Sequence, residues 1–463
     1  MSYSPQLVYF LDRLSGFSTN IFKLLPSGSP DSGPNSITRI TLPANALLNT
    51  RSFKLNFLAN LVDAKSSGGR LPADISSLVE RVEISAGGVQ LSQGTNFYNT
   101  LVNAKAAIQG SRCDSVTGHS ELVRSDKFDG TVVDPAVGKN EIYTGVPHCI
   151  DKWDGFLGTC EPKILDAAIL PDLVVSIYWA DNSVLAACSG STTNALFTTK
   201  HADDKAVYEI KNIHASIETI GLADSVYDNL VSSMIASKGY VEIPFKQYFT
   251  FSNTHHGSSR FTVATQSLDR IWTAWRKSSY SDLDAPHVVP GYSTLAGDID
   301  LDMTTTAETA TAIDALPLKL SKYGGVHGTN MEKYITNHQR FTEPGAEGVL
   351  SYQLQLNGAY YPQFPAKMED MYQITKNSLP GAIKYGMTKE QYRDSYFVQC
   401  QRLNMPDSEH SRTISGLDTR SVSLNGYVNT TGTRTEENPN LMIFAECTSS
   451  LRIGAGRQLE VVI

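Results

Sequence analysis

The sequence predicts an all-β protein built as two tandem antiparallel eight-stranded jelly rolls with short embedded helices. Three observations carry this. About sixteen strand-like runs are separated by Gly, Pro, Asn and Asp turn signals. One unit of strand, tight turn, extended piece and helix occurs twice. The length of 463 residues also exceeds what a single core serves. Eight strands in two sheets make one jelly roll, so sixteen make two. Ig-like sandwiches would give shorter halves without an embedded helix.

The clearer copy of the repeated unit is Leu350–Leu379. Leu350, Tyr352, Leu354 and Leu356 alternate with polar residues, as in a half-buried strand. Asn357-Gly358 signals a tight turn, and Pro365 opens a helical pattern through Met368, Met371, Tyr372 and Leu379. Residues 79–108 repeat it: Val82 and Ile84, then Gly87-Gly88, then Val89 and Leu91. Thr95 follows as a cap for a helix bearing Tyr98, Leu101, Lys105 and Ile108. Gly88 and Gly358 stand 270 residues apart. Pro171-Asp-Leu-Val-Val-Ser-Ile and Pro439-Asn-Leu-Met-Ile-Phe-Ala give a second match at 268. Tyr240-Val-Glu-Ile-Pro244 echoes Ile40-Thr-Leu-Pro43 at 201, so a gain of 69 residues is expected between about 277 and 349.

The expected organisation follows. Residues 1–35 form an N-terminal arm, a short amphipathic helix of Leu7, Val8, Phe10, Leu11, Leu14 and Phe17 joined to a flexible Pro26–Pro34 linker. Residues 36–220 form the first jelly roll, 221–239 a linker, and 240–463 the second jelly roll. An inserted loop region lies at about 277–348, where Asp298–Asp302 and a Thr/Ala run supply little core.

Composition narrows the function classes. Charged residues are 19% and the net charge is −8, without a Lys/Arg run, which argues against strong direct nucleic-acid binding. Six scattered cysteines lack any Cys-x-x-Cys and read as buried free thiols. No signal peptide or membrane-length apolar run is evident.

Catalytic motifs do not emerge, and no catalytic, cofactor-binding or metal residue is assigned. Gly138-Lys139 lacks the first Gly of a phosphate loop. Asp298, Asp300 and Asp302 imitate a calcium loop, but Met303 and Thr309 stand where its Gly and Glu belong. His255-His256 reads as a pair of surface turn histidines. Trp272 and Trp275, three apart in a strand, should face opposite sides, one into a core and one into an interface. Asn429-Thr-Thr431 matches a glycosylation acceptor but has no signal peptide to give it meaning.

Several phrases point to a family. They are Pro171-Asp-Leu-Val-Val-Ser-Ile-Tyr, Tyr240-Val-Glu-Ile-Pro-Phe-Lys-Gln-Tyr, Ser415-Gly-Leu-Asp-Thr-Arg and Leu451-Arg-Ile-Gly-Ala-Gly-Arg. Across residues 36–463 the chain resembles the double jelly-roll major capsid proteins of polinton-like viruses and virophages, and more distantly the adenovirus hexon. The resemblance implies a structural subunit and no enzyme. It implies a homotrimeric, pseudo-hexagonal capsomer that tiles the icosahedral shell of a double-stranded DNA virus. Expected partners are the chain itself, neighbouring capsomers, and penton and minor capsid proteins, with contact to an inner membrane left open. The expected location is the virion shell, the protein being made inside the host cell and not secreted. The alternatives are a secreted two-domain β-sandwich lectin or adhesin, and an enzyme such as an amidase on the same scaffold.

Overall fold

The computed structural model describes residues 17–44, 46–61, 75–92, 95–109, 146–184, 207–222, 232–233, 235–276, 287–288, 334–335, 341, 343, 350–379, 392–393, 396–405, 415–420, 424–432 and 440–463. The first half contributes β1 (Phe17–Leu24), β2 (Ile37–Thr41), β3 (Leu47–Leu61), β4 (Val79–Ala86) and β5 (Val89–Ser92). Helix α1 (Tyr98–Gln109), β6 (Val146–Ile150), the one-turn helix α2 (Phe156–Thr159), β7 (Ile164–Asp166), β8 (Leu173–Trp179) and β9 (Tyr208–Leu222) complete it. The second half runs β10 (Tyr240–Thr254), β11 (Ser258–Val263), β12 (Leu268–Arg276), β13 (His287–Val288), β14 (Tyr334–Ile335), β15 (Ser351–Leu356) and β16 (Ala359–Ala366). It continues with helix α3 (Met368–Ser378), β17 (Val398–Arg402), β18 (Leu424–Thr431), β19 (Asn440–Gly454) and β20 (Leu459–Val462).

The two halves share one topology. The first pairs β1-β9-β3-β6 in one sheet and β2-β8-β4-β5 in the other; the second pairs β10-β19-β12-β17 and β11-β18-β15-β16. Counting eight principal strands in each half, and setting aside β7, β13, β14 and β20, both orders read 1-8-3-6 and 2-7-4-5. Every strand pair in these sheets is antiparallel. This is the jelly-roll order, present twice.

Local chemistry builds the repeated unit. β4 and β15 alternate buried and half-buried residues. Gly87-Gly88 and Asn357-Gly358 all take positive φ, which a two-residue turn between twisted strands requires. A Cβ at Gly87 would also stand 2.7 Å from the Pro171 ring, so glycine is demanded there twice over. Helix α1 follows β5 and α3 follows β16, as the repeat predicts; α3 begins at Met368, with Pro365 still inside β16. The Lys367 N–H donates to Asp370 Oδ2 at 3.1 Å, closing the first turn of α3.

Two expected equivalences are corrected. Pro171–Ile177 leads into β8, the seventh principal strand, whereas Pro439–Ala445 leads into β19, the eighth. Tyr240–Pro244 opens β10, a first strand, whereas Ile40–Pro43 ends β2, a second strand. Continuous apolar strands resemble one another because both faces are buried, and such runs carry no register. Residues 62–78 separate β3 from β4, 17 in all, against 74 between β12 and β15 at 277–350, a gain of 57 rather than 69. Apart from β13, β14, Phe341, Glu343 and Leu350, this region, including Asp298–Asp302, lies outside the described residues, as does Gly138-Lys139.

The N-terminal expectation also changes. Residues 1–16 lie outside the described residues, but Phe17–Leu24 is a strand laddered along β9. Pro26–Pro34 is no free linker. The Ser27 N–H bonds the Arg39 carbonyl, Ser32 and Ile210 exchange backbone bonds, and the Ile213 N–H reaches the Pro30 carbonyl. The Asn212 N–H adds a bond to Asp31 Oδ1 at 3.1 Å. Turn-forming Ser, Asp and Pro here fix the chain to a sheet edge instead of loosening it.

Candidate assembly interface

The site that structure singles out is the joint between the two halves. Three buried clusters surround it. One fills the first jelly roll and takes in Ile243, Phe245, Leu451 and Ile453 from the second. The next, around Phe261, Trp275, Tyr352 and Ile443, is the second roll's own core. The third packs Leu101, Ala104 and Ile108 of α1 against Tyr248, Trp272, Met442 and Phe444 of the second half. β10 and β19 each span 15 residues, so both reach from the second core into the first.

The connection from β6 to β8 clasps β10. Phe156 meets Phe245 edge to face at 5.1 Å. The Lys246 N–H donates to Thr159 Oγ1 at 2.8 Å, and the Glu161 N–H donates to the Pro244 carbonyl at 3.0 Å. Trp153 roots this connection in the first roll through Nε1–H to the Phe53 carbonyl, at 3.1 Å.

Charges line the same joint. Lys105 of α1 pairs with Asp154 and reaches Tyr248 Oη at 3.3 Å. Lys246 Nζ meets Asp269 at 2.5 Å and Thr448 Oγ1 at 2.7 Å. Glu446 accepts from Arg270 Nη1 at 2.8 Å and from Trp272 Nε1 at 3.0 Å, so both carboxylate oxygens are used. Burial pushes the Glu446 carboxyl up, but Arg270, Lys105, Lys246 and the Trp272 N–H together hold it below the ordinary value.

The residues singled out in the sequence fall as follows. Trp272 and Trp275 do face opposite sides. Trp275 enters the second core, and Trp272 enters the cluster against α1; both are fully buried. His255 is not a surface residue. It is fully buried, bonds Ser259 Oγ at 2.6 Å and Thr430 Oγ1 at 2.7 Å, and lies edge-on to Trp275 at 4.7 Å; only His256 is exposed. The packing of β11 and β18 against Trp275, which no local pattern announces, buries this turn. Asn429 sits in β18, bonded to Ser258 Oγ at 2.7 Å. Cys149, Cys160, Cys400 and Cys447 are buried and free, and burial raises each thiol; Cys113 and Cys188 lie outside the described residues. Among the described residues no three His, Cys, Asp or Glu side chains are grouped to hold a metal.

Large apolar side chains remain exposed at sheet edges. Ile21 and Phe22 lie on β1 and Leu25 just beyond it, Tyr360 and Phe364 lie on β16, and Met405 follows β17. The sequence reading missed these exposed residues. Their one signal was a strand without a clean polar face.

No protein-family model matches the chain, and no curated protein matches it. Solved structures do. PBCV-1 VP54, as fitted into a reconstruction of the virophage Sputnik, superposes with TM-score 0.53 at 12% identity, covering 97% of this chain and 99% of that one. The PBCV-1 virus capsid gives 0.54 at 12% identity over the same shares. The Faustovirus major capsid protein gives 0.53 at 8% identity, covering 96% and 92%. The chain thus carries, over nearly its whole length, the double jelly-roll fold found in these viral capsids.

Proposed function

We propose that the chain is a major capsid protein that forms a homotrimer and tiles the icosahedral shell of a double-stranded DNA virus. One observation carries the reading: two jelly rolls of identical strand order are locked side by side, in a fold shared end to end with PBCV-1 and Faustovirus capsid structures. The role is geometric. Antiparallel sheets tied by a buried joint give a rigid block, and the role calls for no catalytic residue, cofactor or metal. The working division is a first roll from β1 to β9, a link across 223–239, and a second roll from β10 onward. The long β12–β15 connection is assigned to the outward end as a tower, on its polar composition. Penton and minor capsid proteins are the further partners, and the virion shell is the location, after synthesis inside the host cell. The shortened arm, residues 1–16, is assigned to the inner side.

Negative-stain imaging and light scattering of the purified chain test this. Six-lobed particles at three times the chain mass are expected. A stable monomer at micromolar concentration overturns the reading.

A further inference from the structure

The sheet β11-β18-β15-β16 is broken at its β16 edge. β15 and β16 pair regularly from Leu356↔Ala359 to Leu354↔Tyr361, but the next pair is Tyr352↔Ala366. Two steps along β15 are thus matched by five along β16, and Pro362–Pro365 leaves the ladder. The first roll carries only a simple bulge at the equivalent place. There Ser85↔Gln90 is followed by Ile84↔Ser92, one step against two. The wide break belongs to the second roll alone, and bulges are features that re-aim side chains at working sites.

A cavity lies behind the break, between β16 and β17, the edge strands of the two sheets. Gln353 and Tyr361 line it from one sheet and Gln399 and Gln401 from the other, with Leu354 and Met371 as apolar walls. None of its lining side chains is charged. Gln399 is 6% exposed, and its Nε2 donor has no acceptor. A buried donor left in that state is costly and calls for a partner. Gln353 donates from Nε2 to the Pro362 carbonyl, and Gln401 from Nε2 to the Arg402 carbonyl, both at 3.2 Å. The Oε1 atoms of Gln353 and Gln401 accept no bond from the described residues. The cavity therefore holds one idle donor and two idle acceptors beside apolar walls. A hydroxyl answers both, because it accepts and donates at one atom; a carboxylate only accepts and an ammonium only donates. The free space is about 20 Å³, room for one hydroxyl-sized group and too little for a sugar ring. At the break, Tyr360 and Phe364 stand 44% and 51% exposed, an aromatic platform open to solvent.

We propose that this break is a carbohydrate site. A neutral terminal sugar lies against Tyr360 and Phe364 and passes its hydroxymethyl group into the cavity. The methylene meets Leu354 and Met371. The hydroxyl accepts from Gln399 Nε2 and donates to Gln353 Oε1. Few placed polar groups among apolar walls give orientation and specificity, and the uncharged lining selects a neutral polyol over ions. The proposal goes beyond the capsid reading and does not rest on it.

Saturation-transfer NMR on the full-length protein tests it, with cellotriose, chitotriose and mannotriose as probes. At least one is expected to bind, with the hydroxymethyl protons of a terminal sugar the most strongly saturated. Gln399→Met keeps the shape and removes the idle donor. It is expected to weaken binding at least about tenfold while Tm does not fall, because the donor it removes has no partner in the protein. Phe364→Ala is expected to weaken binding as well, and Phe22→Ala, on β1 of the first roll, to leave it unchanged. Silence from all three sugars, with the cavity holding water alone, overturns the proposal. Binding that survives Gln399→Met overturns it too. Light scattering on the same sample reads the capsid proposal separately: a monomer that binds sugar refutes the trimer and leaves this site standing.

Discussion

Replacing Glu446 by Gln tests whether the buried charges at the joint hold the fold together. Glu446 is 4% exposed, and its two oxygens accept from Arg270 and Trp272. Gln keeps the shape but removes the charge, and turns its amide N–H toward one of two donors. Arg270, with only 16% of its side chain exposed, then loses its counterion. Breaking a buried pair from one side costs about 3–5 kcal/mol. For 463 residues unfolding together, an unfolding entropy of about 2.1 cal/mol/K per residue sums to about 1 kcal/mol/K, so a drop of about 3–5 °C is expected. The sign of the pH dependence follows from the lowered carboxyl. An unfolded Glu titrates near ~4.3. The stabilisation from ionised Glu446 is therefore fully present above that pH, and is lost as pH falls through the lower, folded value. The stability gap between wild type and Glu446→Gln should be full at pH 7 and shrink in acid. Denaturant unfolding across pH 3–7 measures it. A gap under about 1 kcal/mol at pH 7, or one that widens on acidification, refutes the reasoning.

Phe245→Ala removes a fully buried ring shared between the halves. It should cost about 3–5 kcal/mol and split calorimetric unfolding into two transitions; a single, unshifted transition would disprove the coupling. His255→Leu strands the Ser259 and Thr430 hydroxyls. A loss of about 1–3 kcal/mol is expected in chemical denaturation, and a neutral result would mean these bonds do not matter. Gly426→Ala places a Cβ 2.3 Å from the Phe261 ring, an overpacking that should cost about 1–3 kcal/mol. Phe261→Leu in the same chain should recover part of that, and additive losses would rule the clash out.

Some of this molecule was legible in the chain itself. The strand–turn–helix repeat could be read because Gly87-Gly88 and Asn357-Gly358 meet a backbone demand that few other residues satisfy. The opposed faces of Trp272 and Trp275 followed from the two-residue period of a strand. Tertiary structure decided the rest. Which strand is the partner of which was hidden, because β8 and β19 open on similar apolar runs, Leu173–Val175 and Leu441–Ala445, that look alike in one dimension. β1 was read as part of a helix and linker because its ladder partner lies some two hundred residues away, and its exposed faces give it no alternation. His255 looked like a turn residue, and only the approach of Trp275 and Thr430 buries it. The joint was invisible for the same reason. Phe22 and Phe245 stand in near-identical local sequence, Ile-Phe-Lys and Pro-Phe-Lys. Only the arrival of Phe156 from a distant connection makes one of them core and leaves the other at the surface. Local pattern fixes what a residue offers to a neighbour, and the folded chain decides whether a neighbour is there.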